Sequence, residues 1–297
     1  TEAVIPESSI FASNTSTLPI TGLAKASARP QQFIGNHFFS PVDKKPVVEV
    51  IVGEKTSDEA IARSLDYIQQ IRKTPIVVND SRGFFTSRVF GTFTSEGIRM
   101  LSEGIKPALI ENAAKMAGMP VGPLAVTDEV SIELAWKVGK ATAQGLGLDY
   151  PADPAQEVIV TMMEKLDRKG KRYGAGFYDY PEGAKKHLWK GLTKYYPLEE
   201  DQPDVNDLIQ RLLYIQALES ARCLEENVLT HAADGDVGSI FGIGFPPWTG
   251  GVLSYIDTIG IDKFVEDCDH LAETCGSRFK VSAWLRERAE KNQPFHS

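Results

Sequence analysis

The hydrophobic pattern of this 297-residue chain changes character once, near Arg82, and that change limits the folds it can adopt. Ahead of Arg82, short apolar or β-branched runs at 9–13, 33–39, 47–52 and 76–78 read as buried strands. Between the last two runs lies an amphipathic helix, with Ile61, Leu65, Ile68 and Ile71 on one stripe and Thr56 with Glu59 as its capping box. Arg72 and Lys73 end it and Pro75 follows, as expected at a helix terminus. A strand–helix–strand unit of this kind belongs to an α/β sheet. Beyond Arg82 strand signals nearly vanish. Helical patterns cover 84–103, 107–117, 123–144 and 154–166, and resume at 207–226, 234–241, 248–258, 262–272 and 283–291. The stretch 167–203 is rich in Gly, Lys, Tyr and Pro and reads as a connection.

An internal repeat ties the helical parts together. Arg88, Glu96 and Glu103 recur as Arg211, Glu219 and Glu226 at one constant spacing. Gly122-Pro123-Leu124 with Asp128 recurs as Gly251-Val252-Leu253 with Asp257 at a slightly longer spacing, as one inserted loop would produce. Repeated helical units that pack on one another are the natural reading. The chain therefore divides into 1–81, 82–180 and 181–297, the last containing a linker and the second helical copy.

Composition removes several classes of function. The net charge is −8, from 40 acidic and 32 basic residues, and the basic run at 168–172 is short. A nucleic-acid binder would show a basic face, so none is expected here. No apolar stretch approaches the ~20 residues of a membrane span. Three cysteines (Cys223, Cys268, Cys275) without a CxxC pair fit a reducing compartment, and a cytoplasmic location is the expectation. His187, His231, His270 and His296 lie in polar surroundings and read as solvated, with no metal-ligand spacing, so no metal is expected. The chain begins at Thr1 without Met and without a signal-peptide pattern.

Two polar residues interrupt apolar strands. His37 sits in Asn36-His37-Phe38-Phe39, and Glu49 in Val47-Val48-Glu49-Val50-Ile51. A carboxylate inside such a strand is costly unless paired, and mutual pairing of Glu49 with His37 is the simplest explanation. The pair then serves either as a buried structural contact or as a general base, because a carboxylate on one imidazole nitrogen raises the basicity of the other. The cluster Ser13-Asn14-Thr15-Ser16-Thr17 follows a strand, where open α/β sheets collect ligands, although these residues also form ordinary turns. Lys44 and Lys45 form a loop pair that could meet a phosphate or simply be solvated. The Gly-x-Gly sequences at 145–147, 174–176 and 242–244 lack the third glycine of a dinucleotide fingerprint.

In order and spacing, Ile10-Phe11-Ala12-Ser13-Asn14-Thr15-Ser16, His37-Phe38-Phe39 with Pro41, Val48-Glu49-Val50-Ile51 and Gly83-Phe84-Phe85 resemble the L-3-hydroxyacyl-CoA dehydrogenases. Downstream, Met119-Pro120-Val121-Gly122-Pro123 is similar to the family's turn in its helical domain. Gly174-x-Gly176-Phe177-Tyr178-x-Tyr180 is similar to the segment that follows that domain. Gly244-Phe245-Pro246-Pro247-Trp248-x-Gly250-Gly251 resembles the second helical copy of multifunctional fatty-acid oxidation enzymes, the α-subunit type. The implied fold is α/β plus all-α: the C-terminal part of a Rossmann-type nucleotide-binding domain, then two repeated helical domains.

The resemblance implies an activity, the oxidation of (S)-3-hydroxyacyl-CoA to 3-ketoacyl-CoA with NAD+ in β-oxidation. It makes His37 the general base and Glu49 its orienting carboxylate. Ser16 falls near substrate oxygen and nicotinamide. Ser40 stands at a cofactor-contacting asparagine, Ser87 at the asparagine that holds the substrate carbonyl, and Tyr255 at an acyl-CoA contact. The family's Gly-x-Gly-x-x-Gly loop would precede residue 1, so the chain is expected to be a C-terminal piece. Its partners would then be the N-terminal nucleotide-binding and hydratase segments and a thiolase subunit, in an oligomer. The competing expectation is a non-catalytic assembly fragment, and a third is a relative acting on free hydroxy acids.

Overall fold

The computed structural model describes residues 2–151 and 153–296; the Met-less start at Thr1 lies outside the described residues. Strands β1 (Phe11–Ser13), β2 (Phe33–Phe38), β3 (Val47–Val52) and β4 (Thr74–Asn79) form one sheet in that order. The β1/β2 and β3/β4 pairs are parallel, whereas β2 and β3 are antiparallel, with His37 directly opposite Glu49. Residues 39–46, which join β2 to β3, are too few for the crossover of about a dozen residues that a parallel pair needs.

Helix α1 (Ile20–Ala24) follows β1, and α2 (Asp58–Gln70) follows β3. The α2 stripe Ile61, Leu65 and Ile68 packs on Ile34, Val48 and Val50 of the sheet. The fully buried members, Ile34, Val48, Val50 and Ile68, contribute about 1.5–3 kcal/mol each by leaving water. Because side chains alternate along a strand, His37, Glu49 and Ile51 point to the opposite face. The cap of α2 differs from expectation. Ser57, not Thr56, caps it by accepting the Ala60 N–H at 3.2 Å. Thr56 is engaged elsewhere: its hydroxyl donates to the Phe33 carbonyl at 2.7 Å and accepts the Gly53 N–H at 3.0 Å.

After the sheet come α3 (Thr86–Ser102), α4 (Pro107–Ala117), α5 (Pro123–Val130), α6 (Ile132–Leu146) and α7 (Pro154–Val160). The single helix expected over 123–144 is two helices. Ser131 breaks it with φ 98°, closing α5 through its N–H to the Thr127 carbonyl and donating its hydroxyl to the Lys169 carbonyl. The connection at 167–203 holds the hairpin β5 (Tyr178–Asp179) and β6 (His187–Leu188) and the short α8 (Leu192–Tyr195). Arg168 organises it by donating to the Gly176 and Tyr178 carbonyls. The chain continues through α9 (Val205–Glu225), α10 (Ala232–Gly238), α11 (Val252–Ile259), α12 (Ile261–Thr274) and α13 (Ala283–Glu290).

The chain divides into two compact units, one from 1–90 with 216–297 and the other from 91–215. The repeat seen in the sequence has a direct physical basis in both. In the first unit Arg88 pairs with Glu219 at 2.7 Å and Glu226 at 2.6 Å. In the second unit Arg211 pairs with Glu96 at 2.6 Å and Glu103 at 2.8 Å. Each arginine is thus held by the two glutamates of the other copy. The glycine-led repeat is equally explicit. In the second unit Glu111 accepts the Leu124 N–H and the Tyr178 hydroxyl, and Asp128 accepts the Phe177 and Tyr178 N–H groups. In the first unit Asp236 accepts the Leu253 N–H and faces His296, and Asp257 accepts the Phe295 and His296 N–H groups. Gly122 and Gly251 are required beside these carboxylates, because an added Cβ would lie 2.4 Å from Glu111 and 2.3 Å from Asp236. His296, expected to be solvated, therefore bonds a buried aspartate at 2.8 Å.

Glu96 is 1 % exposed, so removing Arg211 takes a cation away from a buried carboxylate. Arg211→Ala is expected to cost about 3–5 kcal/mol in urea unfolding. Arg63→Ala, which breaks the exposed pair with Glu59, should stay within about 1 kcal/mol.

Candidate active site

The antiparallel register places His37 and Glu49 side by side on one face of the sheet, at the end of β2. The imidazole Nδ1 lies 2.9 Å from Glu49 Oε2, and the two residues are 8 % and 0 % exposed. Glu49 carries three further donors. Its Oε1 accepts the Phe85 and Thr86 N–H groups, both at 3.0 Å, and Oε2 accepts the Thr86 hydroxyl at 2.6 Å. These amides open α3, where N–H groups have no helical partner and the helix dipole favours an anion. A carboxylate offers about four lone-pair sites. Three are filled by donors from α3, so the fourth takes Nδ1–H and the lone pair of His37 resides on Nε2.

The turn before α3 brings those amides to Glu49. Gly83 and Phe84 both adopt positive φ, 78° and 50°. For a bulky residue such as Phe84 this conformation costs roughly 1–3 kcal/mol and persists only where its surroundings enforce it. Here the Gly83 N–H bonds the Thr17 carbonyl, the Ser81 hydroxyl bonds the Phe84 carbonyl, and the Phe84 ring is fully buried. The His37 ring packs against Phe39 at 4.6 Å and Phe84 at 6.4 Å. Cys223 is close enough to sense the Glu49 charge, and burial pushes its thiol well up.

The remaining residues singled out in the sequence take separate places. Ser16 is exposed beyond the carboxyl end of β1, in a turn pinned by Asp80, which accepts the Ile20 and Thr21 N–H groups at 2.8 and 2.7 Å. Asn14 of the same turn accepts the Phe38 N–H at 2.8 Å, tying it to the end of β2. Ser40 is exposed just past β2, and Ser87 is half-buried in the first turn of α3. None of these three serines hydrogen-bonds His37 or Glu49. Tyr255, on α11, stands in an aromatic cluster with Phe245 at 6.0 Å and Trp248 at 5.9 Å. Burial, with Asp267 nearby, pushes its hydroxyl up to about 12. Lys44 is exposed, whereas Lys45 is half-buried and donates to the Gly242 carbonyl at 2.9 Å. Sequence reasoning missed Thr86 and the two amides, although Gly83-Phe84-Phe85 immediately ahead of them was a visible signal.

A nicotinamide fits this end of the sheet on the chemistry of its donors. Ser16 and Ser40 offer exposed hydroxyls beyond the parallel ends of β1 and β2, where His37 also lies.

A four-stranded mixed sheet bearing a buried His–Glu pair, in a chain whose helices repeat the same ion pairs, defines the class of fold. Comparison with known proteins narrows it. Residues 1–81 match the NAD-binding domain of 3-hydroxyacyl-CoA dehydrogenase, and residues 83–180 match the C-terminal domain of the same family, together more than half of the chain. The chain belongs to the 3-hydroxyacyl-CoA dehydrogenase family. It is 40% identical over 295 residues to the fatty acid oxidation complex subunit alpha of Shewanella halifaxensis, covering 98% of this chain and 41% of that protein. The corresponding subunit of Shewanella amazonensis is 39% identical over 294 residues, again with 41% of its length covered. Among solved structures, (S)-3-hydroxybutyryl-CoA dehydrogenase PaaH1 from Ralstonia eutropha is 32% identical with a TM-score of 0.55, over 61% of this chain and 64% of that one. The 3-hydroxybutyryl-CoA dehydrogenase of Escherichia coli shares the fold at a TM-score of 0.77 and 20% identity, over 97% of this chain and 76% of that one.

Glu49→Gln tests the donor count. The amide oxygen must stay with the α3 amides, which turns an NH2 group toward His37 and makes Nδ1 an acceptor. Nitrogen-15 NMR of the histidine ring should then find the proton moved from Nδ1 to Nε2. An unchanged tautomer would contradict the assignment.

Proposed function

We propose that this chain carries the (S)-3-hydroxyacyl-CoA dehydrogenase function of a fatty-acid oxidation complex, converting 3-hydroxyacyl-CoA to 3-ketoacyl-CoA. The observation that carries the reading is the His37–Glu49 pair, 2.9 Å apart and withdrawn from water, in a chain of this family. Bound NAD+ supplies the hydride acceptor, and Ser16 with Ser40 would hold its nicotinamide end. As hydride leaves C3 the substrate hydroxyl becomes acidic, and His37 Nε2 takes its proton. Nδ1–H stays on Glu49, whose charge stabilises the imidazolium that forms. The hydroxyls of Ser16 and Ser87 donate to the developing keto oxygen, and Tyr255 contributes an acyl-CoA contact from the second helical copy.

In this reading residues 1–81 are the rear of the NAD-binding domain, 82–180 the first helical domain, and 181–297 the linker and second copy. The likeness to subunits named as fatty acid oxidation complex alpha supports membership of such a complex, and the reading assigns hydratase and thiolase functions to other segments and subunits. The reading takes the protein as a cytoplasmic oligomer acting on CoA esters.

The test is NADH formation from (S)-3-hydroxybutyryl-CoA by the purified protein. His37→Gln should lower turnover about 10²–10⁴-fold while leaving the melting temperature unchanged. Undiminished turnover, or equal turnover of the free hydroxy acid, would refute the assignment.

A further inference from the structure

Thr86 is fully buried at the start of α3, and its hydroxyl behaves unlike that of a helix cap. A capping threonine accepts an N–H of its own helix. This one donates across to Glu49 Oε2 at 2.6 Å, the short length of a charge-assisted bond, and shares that oxygen with His37 Nδ1. The two oxygens of Glu49 therefore carry two donors each. A proton on either oxygen would be driven against one of these donors, so the carboxyl is held as an acceptor only.

We propose that Thr86 is a positioning residue for His37: its hydroxyl occupies one acceptor position of Glu49 Oε2 and so sets how strongly the carboxylate draws on the Nδ1 proton. The geometric claim stands by itself, and its consequence for turnover rests on the dehydrogenase reading above. Removing the hydroxyl takes one of the two donors from Oε2. The carboxylate then competes more strongly for the proton it shares with Nδ1, and the pair holds that proton to higher pH. A hydrogen bond to a charged group has about the strength of one pH unit.

Other titratable groups lie on the neighbouring elements. From α9 comes Cys223, kept as a thiol by burial, and from α3 Arg88, bound to Glu219 and Glu226. From α10 comes Asp234, which accepts the Val77 N–H beside Ile76, the β4 partner of Glu49, together with Asp236 and its partner His296. Lys45, ahead of β3, is lowered by burial but points its ammonium at the Gly242 carbonyl. None of these donates to Glu49, so Thr86 is the side chain whose removal isolates the effect.

The experiment compares Thr86→Val, close in volume, with Thr86→Ser, which restores the hydroxyl. In the purified protein the acid limb of the kcat/KM profile should move up by about one pH unit in Thr86→Val and return in Thr86→Ser. Nitrogen-15 NMR should show a bare Nε2 in all three proteins, with the Nδ1 resonance displaced toward stronger hydrogen bonding in Thr86→Val and restored in Thr86→Ser. An unmoved acid limb with an unmoved Nδ1 resonance in Thr86→Val overturns the proposal. If the parent gives no 3-hydroxyacyl-CoA turnover, the dehydrogenase reading fails separately, and the Nδ1 resonance alone decides the role of Thr86.

Discussion

A carboxylate fully removed from water, Glu49, sets the conditions that the sheet end and the start of α3 have to satisfy. An isolated buried charge costs far more than any single contact returns, so every neighbouring element supplies a donor. The antiparallel step brings His37 opposite it, and the turn through Gly83 and Phe84 swings two backbone amides and the Thr86 hydroxyl onto it. The left-handed Phe84 belongs to the same arrangement. Its strain is offset because a relaxed turn would carry the α3 amides away from the carboxylate. The chemistry of His37 is therefore a by-product of how Glu49 is satisfied: with all other acceptor positions filled, only one tautomer of the ring fits.

The helical repeat obeys a similar rule on a larger scale. Each copy uses an arginine against two glutamates, and two carboxylates to hold a trailing aromatic segment, Phe177-Tyr178 in one and Phe295-His296 in the other. The substitution of His296 for the position that Tyr178 fills shows what the clasp demands. A ring with one polar hydrogen-bonding atom suffices, whatever its type. The acidic partners differ too, Glu111 against Asp236, and the glycine beside each gives the carboxyl its room.

Much of this was legible in the sequence because burial writes itself into residue type. Glu49 among valines and His37 among phenylalanines announced a pair, whereas the antiparallel step that sets them opposite each other was read only from the structure. The repeat was visible because arginine and glutamate on apolar helix faces must be matched. The passage from sheet to helices followed from the change of pattern near Arg82. Other features depended on where hydroxyls point, which sequence does not record. Thr56 gave up its capping role to the Phe33 carbonyl, Ser131 broke a helix whose apolar period runs on without interruption, and Thr86 reached across to Glu49. His296 looked solvated because its partners, Asp236 and Asp257, are remote in sequence.

The central claim is that His37 and Glu49 work as one unit, the carboxylate acting only through the ring. Residues that act as a unit give strongly non-additive losses. The most direct measurement is kcat/KM for 3-hydroxyacyl-CoA oxidation in His37→Gln, Glu49→Gln and the double variant. The account predicts that the double variant is no slower than His37→Gln alone. Losses that multiply would mean that Glu49 contributes independently of the imidazole, and would contradict it.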